Sequence, residues 1–211
     1  MTKPERIPLN TLLESSCSRK KLKEIAHAVS KGAIIVYPTE TIYGIGGAYN
    51  VRGVKEKIFS TKQRTAPQPM ILIASDRLYF SKLPVTFPPS AERLAQCFWP
   101  GMLTLVLPSQ NREQGIAVRI SGHPFIKELF RYLDEPIYST SANLSGEVYM
   151  NDPELICSIF LGKVDFFIDA GPLPPSLPST VVSVGRDDSV RVLREGAISL
   201  HDVLRTLRIT P

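Results

Sequence analysis

The chain has 211 residues, 43% of them hydrophobic, which suits one large domain, or one with small appendages, and excludes a need for covalent staples. Lys plus Arg number 25 against 20 Asp plus Glu, a formal charge of +5 that fits an anionic partner such as a nucleotide or RNA and fits equally a protein with none. Cys17, Cys97 and Cys157 stand far apart in no metal-ligand spacing, which argues against a disulfide framework and for a reducing compartment.

The opening "MTKPERIPLN" carries charges and prolines where a signal peptide needs an apolar core. No run approaches the roughly 18 apolar residues of a membrane span. The expectation is a soluble, cytoplasmic protein without membrane contact. Residues 1–17 read as an N-terminal arm and residues 18–211 as one domain.

In chain order, "SRKKLKEIAHAVSKG" predicts a helix, with Ser18 as its cap, Leu22, Ile25, Ala26 and Val29 on one face, and Gly32 at its end. The apolar "AIIVYP" predicts a strand that runs into the loop "TETIYGIGG". "VRGVKEKIFSTK" predicts a helix, "PMILIAS" a strand, and "PPSAERLAQCFW" a helix capped by Ser90. "MLTLVLP" and "GIAVRIS" follow as strands, then "HPFIKELFRYLDE" as a helix and "PIYST" as a strand. "NDPELICSIFLGK" predicts a helix with Asp152 as cap and Pro153 in the first position. "VDFFIDAG", "STVVSVG" and "SVRVLREG" predict strands, and "SLHDVLRTLR" a last helix. The alternation predicts an α/β or mixed α+β sheet. There is no P-loop, dinucleotide fingerprint, Gly-x-Ser-x-Gly elbow, His-Glu-x-x-His or Cys-x-x-Cys, so the sequence gives no protein nucleophile and no metal site.

Four polar clusters carry two readings each. "PTETIYG" is a turn or a ligand-binding edge. Lys62 and Arg64 are either a pair of cations gripping a polyphosphate or a helix C-terminus complementing its dipole. Arg119, alone among apolar neighbours on a strand, binds an anion or forms a structural ion pair. "YSTSANLSG" offers Ser139, Ser141, Asn143 and Ser145 to phosphate or ribose oxygens, or is a capped turn.

Together these clusters resemble the YrdC-like family of threonylcarbamoyl-AMP synthases. The resemblance rests on Pro38 to Gly44, Lys62 and Arg64 with Pro69-Met70, "FWPGMLTLVLP" from Phe98 to Pro108, "AVR" from Ala117 to Arg119, Ser141 and Asn143, "STVV" from Ser179 to Val182, and "LREG" from Leu193 to Gly196. It spans roughly residues 18 to 200. The chain departs from the family pattern at Ile73, Tyr149, Pro178 and Glu195. The resemblance implies a twisted open sheet, mixed parallel and antiparallel, curved around a basic concave cavity. It implies synthesis of L-threonylcarbamoyladenylate from L-threonine, bicarbonate or CO2, and ATP, with pyrophosphate released and Mg²⁺ arriving on the ATP phosphates. Lys62 and Arg64 would hold the triphosphate, and Ser141 and Asn143 the α-phosphate region. Arg119 would pair with the threonine carboxylate, Thr39, Ser139 and Ser179 would contact threonine, and Arg194 the nucleotide. The product would pass to a separate complex that modifies tRNA. An RNA-binding protein resembling the YciO branch without this activity, with tRNA or double-stranded RNA as a direct partner, stays open, as does a purely structural role.

Overall fold

The computed structural model describes residues 4–14, 18–63, 70–111 and 113–208. Its strands are β1 (Glu5–Pro8), β2 (Ile35–Tyr37), β3 (Gly44–Ala48), β4 (Ile71–Ala74), β5 (Leu103–Leu107), β6 (Ile116–Ile120), β7 (Ile137–Ser141), β8 (Phe166–Asp169), β9 (Thr180–Val184) and β10 (Val190–Arg194). Its helices are α1 (Leu9–Leu13), α2 (Ser18–Ser30), α3 (Val54–Thr61), α4 (Pro89–Phe98), α5 (Pro124–Leu129), α6 (Pro153–Ile159) and α7 (Leu200–Arg208). The strands join in one open sheet in the order β1-β8-β2-β3-β7-β4-β6-β5-β9-β10. Pairs β1–β8, β2–β8, β4–β6 and β5–β9 are parallel, and the rest are antiparallel, so the sheet is mixed as expected.

Alternation along the strands decides which face each side chain takes. Ile35, Tyr37, Leu105, Val118 and Ile168 point into a large core with Leu22, Ile25, Ala26 and Val29 of α2, Leu94 of α4 and Phe125 of α5. Val36, Ile45 and Phe167 point the other way, into a second cluster with Val54 and Ile58 of α3 and Ile156 and Phe160 of α6. That second cluster covers only the β8–β2–β3 part of its face. Further along the same sheet, the side chains of β7, β4, β6, β5, β9 and β10 that face away from the large core line a cavity instead.

Three sequence expectations change. The segment read as an arm forms β1 and α1, and β1 is an edge strand of the sheet, paired with β8. Ser90 lies inside α4 and does not cap it; Asp188, from the turn between β9 and β10, accepts from Ser90 N at 2.8 Å and from Ser90 Oγ at 2.9 Å. A remote carboxylate thus satisfies one of the unpaired amides of the helix's first turn. The glycine run after Tyr43 is not a loop; it is β3, hydrogen-bonded between β2 and β7. A Cβ on Gly46 would sit 2.1 Å from the Tyr138 carbonyl oxygen and one on Gly47 2.9 Å from Val54 Cγ1. Those glycines let protein approach protein, and of the run Gly44 alone reaches the cavity.

Candidate active site

The cavity has a volume of about 420 Å³, within the range of small-molecule sites. Its floor is the sheet. Adjacent strands contribute alternate residues: Ser139 and Ser141 from β7, Ile71 and Ile73 from β4, Ala117 and Arg119 from β6. On β10 the register shifts between Val192 and Arg194, and this bulge brings the consecutive residues Leu193 and Arg194 to the same cavity.

Arg119 sets the chemistry at one end. It is 3% exposed and makes the ion pair of its structural reading, with Glu40. Its Nε donates to the Gly101 carbonyl at 2.9 Å and Nη1 to Thr41 Oγ1 at 3.2 Å. Nη2 lies 3.2 Å from Glu40 Oε2, an ion pair, yet is out of line for a hydrogen bond and has no partner for its N–H groups. Glu40 is held from elsewhere: Ser121 Oγ donates to Oε2 at 2.8 Å and Gly122 N to Oε1 at 2.9 Å. Burial lowers the guanidinium's proton affinity, and Glu40 works against that drop. Arginine starts so far above neutrality that it stays charged. The result is a buried cation on the cavity wall with one donor atom unsatisfied.

Around it stand hydroxyls. Tyr37 donates to Ser139 Oγ at 2.6 Å, and burial raises the Tyr37 phenol so that it stays a donor. Ser179 Oγ and Thr104 Oγ1 share a hydrogen bond of 2.9 Å. Arg194 donates to the Ser179 carbonyl from Nε at 3.2 Å and Nη2 at 2.9 Å, which fixes the strand that presents Ser179. Tyr43 lines the wall while its hydroxyl takes the Ala170 N–H at 2.9 Å and donates to Gly171 O at 2.8 Å; burial pushes its phenol up to about 12.

Lys62 is a buried cation beside the Ser141–Asn143 loop. It is 3% exposed, just past α3, and its Nζ donates to Ser141 O, to Asn143 O at 2.6 Å and to Asn143 Oδ1 at 3.3 Å. Ser141 Oγ also donates to Asn143 Oδ1, at 2.5 Å, and Asn143 Nδ2 donates to Glu147 O at 2.6 Å. These contacts brace the Ser141–Asn143 loop from behind.

Thus Thr39, Arg119, Ser139, Ser141, Ser179 and Arg194 line one cavity. Lys62 and Asn143 stand behind Ser141, and Arg64 lies outside the described residues. Of the departures, Ile73, Tyr149 and Pro178 also line the cavity, whereas Glu195 turns away to accept from Leu200 N at 2.8 Å at the start of α7. Sequence reasoning missed Glu40 and Thr41 as partners of Arg119, and Tyr37 and Thr104 as partners of the serines. Only Thr41 carried a signal, two positions from Thr39 on an extended loop. Among the described residues, no three His, Cys, Asp or Glu side chains cluster as metal ligands.

A family model for Sua5, YciO and YrdC proteins, described as "Telomere recombination", matches residues 27–196. The chain is 31% identical over 202 residues to a threonylcarbamoyl-AMP synthase of Pyrococcus abyssi, covering 90% of this chain and 59% of that protein. It is 32% identical over 200 residues to a threonylcarbamoyl-AMP synthase of Bacillus subtilis, covering 90% and 57%. It therefore spans rather less than two thirds of the length of these curated relatives. The crystal structure of P. abyssi Sua5 complexed with L-threonine superposes with a TM-score of 0.85 at 27% identity, covering 98% of this chain and 61% of that one. The crystal structure of Escherichia coli YciO superposes with a TM-score of 0.81 at 26% identity, covering 96% and 100%.

Proposed function

Because this chain belongs to the Sua5/YciO/YrdC family, we propose that it synthesises L-threonylcarbamoyladenylate from L-threonine, bicarbonate or CO2, and ATP, with release of pyrophosphate. The observation that carries the reading is the buried Arg119 guanidinium, with an unsatisfied donor, in the wall of a cavity lined by hydroxyls. Two relatives named threonylcarbamoyl-AMP synthase, and a threonine complex of a 27% identical protein, support it.

In this reading the threonine carboxylate sits against Arg119, a charge-assisted bond in a site shielded from water. The amine adds to CO2 as a carbamate, and a carbamate oxygen attacks the α-phosphorus in line as pyrophosphate leaves. No residue needs to become covalently attached, so the protein's contribution is positioning and charge neutralisation. Mg²⁺ enters as part of the substrate, carried by the ATP phosphates. Ser141, held by the Asn143 side chain and backed by the buried Lys62 charge, would meet the phosphates, with Arg64 completing the grip and Arg194 facing the nucleotide. The product, a mixed anhydride, would then serve a separate tRNA-modifying transferase.

The match to YciO along its whole length favours a second reading, an RNA-binding protein without synthase activity. Pyrophosphate release measured with MgATP, threonine and bicarbonate, each omitted in turn, separates the two. Release that requires both threonine and bicarbonate supports the synthase. Binding of tRNA with no release in the complete mixture overturns it.

A further inference from the structure

We propose that the exposed face of α2 docks the phosphate backbone of an RNA, on the side of the sheet opposite the cavity. The proposal goes beyond the synthase reading. Only the choice of RNA over DNA rests on that reading, in which the product is consumed on a tRNA.

The face follows from how α2 is placed. Leu22, Ile25, Ala26 and Val29 are buried in the large core, so the helix covers the sheet face that the cavity does not occupy. Its other side carries Arg19, Lys20, Lys23 and His27, and the turn that follows carries Lys31; all of them are exposed. Lys31 keeps to the helical path, since its N–H still reaches the His27 and Ala28 carbonyls. Arg19, Lys23, His27 and Lys31 therefore stand at four-residue steps along one helical row, with about 6 Å of rise per step and about 18 Å from end to end. The acidic neighbours are taken by Lys21, whose Nζ lies 2.5 Å from Glu5 Oε1 and 2.8 Å from Glu24 Oε1. Among the described residues, no carboxylate comes within ion-pair distance of Arg19, Lys20, Lys23 or Lys31. Lys23 Nζ instead sits 5.6 Å from the centre of the half-buried Tyr132 ring.

Two features set this face apart from an ordinary solvated one. The cations crowd the first turns of α2, the positive end of its dipole, and the first turn holds no acidic residue to offset them. Arg19 and Lys23, four residues apart, repel each other. Both placements destabilise the helix in the free protein, and a line of phosphates lying along the row relieves both. A membrane does not fit: no large apolar side chain of α2 is exposed, and the apolar face that a membrane-surface helix would insert is buried in the core. A small anion would meet only one rung of the row. A nucleic-acid backbone meets successive rungs, and contacts of this kind need no particular base sequence.

The test is binding of a labelled tRNA transcript to the full chain, by fluorescence anisotropy at several salt concentrations. One variant combines Arg19→Gln, Lys20→Gln, Lys23→Gln and Lys31→Gln. A control combines Arg52→Gln, Lys82→Gln, Arg191→Gln and Arg205→Gln, which removes as many exposed cations from other elements. A DNA duplex and vesicles containing anionic lipid are the comparison ligands. Both variants carry the same net charge, so a loss confined to the first cannot come from net charge. The α2 variant should bind tRNA about a hundredfold or more weakly at low salt, and its slope of log K against log salt should lessen by about three to four, close to one per lost phosphate contact. Its melting temperature should stay level or rise, because glutamine is a good helix former and the ill-placed cations are gone. The control should bind tRNA nearly as the wild type does. An α2 variant that keeps the wild-type affinity and slope, or equal losses in the two variants, overturns the proposal. So does a wild type that binds no tRNA, or that prefers the DNA duplex or the vesicles. None of these outcomes touches the synthase reading, which stands or falls on pyrophosphate release.

Discussion

Replacing Arg119 by lysine keeps the charge and removes the fork. In the structure three nitrogens of one rigid plane reach Gly101 O at 2.9 Å, Thr41 Oγ1 at 3.2 Å and Glu40 Oε2 at 3.2 Å. An ammonium is a single point and cannot stand in all three places. At least one buried acceptor loses its donor, which costs about 1–3 kcal/mol. For a chain of this size each kcal/mol lowers Tm by roughly 2–4 °C, so a fall of about 2–12 °C is expected. Binding should suffer separately. The free Nη2 donor disappears, and losing one hydrogen bond to a charged group costs about 1.5–3 kcal/mol, roughly ten- to a hundred-and-fiftyfold in threonine affinity. In the proposed reading ATP does not meet Arg119 and should bind nearly as before. Thermal melts and paired calorimetric titrations with threonine and with an ATP analogue measure both effects. A variant that loses ATP and keeps threonine would refute the assignment of this end of the cavity to the amino acid.

Lys62→Ala should cut threonine-dependent pyrophosphate release by about a hundred- to a thousandfold, as the loss of one preorganised electrostatic contact does, and should also lower Tm because two buried carbonyls, Ser141 O and Asn143 O, lose their donor; unchanged Tm would contradict the bracing role. Gly46→Ala should be strongly destabilising, since its Cβ would fall 2.1 Å from Tyr138 O, while Gly171→Ala, with open space around it and φ of +73°, should cost only about 1 kcal/mol; melts of the two variants would be compared. His123 caps α5 by accepting from Phe125 N on Nδ1 at 3.2 Å, and burial holds its pKa below the ordinary value. The unfolded chain then binds the proton first, so stability should be undiminished by this group above the unfolded pKa and should fall as pH drops below about 6.5. His123→Asn keeps a capping acceptor and should flatten that part of the Tm–pH profile; an unchanged slope would assign it to other groups.

How much of this was legible depends on how local each cause is. The α2 face was legible because Leu22, Ile25, Ala26 and Val29 repeat at helical spacing, and α6 because Asp152 and Pro153 are start signals, with Asp152 Oδ1 accepting from Glu154 N at 2.8 Å. β3 was not, because Gly44-Ile45-Gly46-Gly47 has the composition of a turn. It is a strand because it pairs with β2 and β7, and its glycines are needed because Tyr138 and Val54 leave no room for a side chain. The Asp188 contact with α4 is hidden for the same reason, since it joins residues 98 apart. In the site, the residue types were readable and their pairings were not. Arg119 was marked by its apolar neighbours, but nothing local says that Glu40 is its counter-ion, because the two meet only through the order of β2, β3, β7, β4 and β6.

The way Glu40 meets Arg119 resolves a conflict between burial and function. A lone guanidinium at 3% exposure pays a large desolvation cost, and an opposite charge must offset it. A carboxylate that took Nη2 in an aligned hydrogen bond would offset the cost and leave nothing for a ligand. Here Ser121 Oγ and Gly122 N each claim one oxygen of Glu40 and fix its carboxylate out of line with Nη2. The charge is compensated at 3.2 Å while the N–H remains unspent. Gly101 and Thr41 hold the other two nitrogens, so the guanidinium has no freedom to swing toward Glu40 and close that gap. The free donor is thus a product of the whole constellation. It shows how Arg119 can form the structural ion pair and still be available for the anion role proposed above.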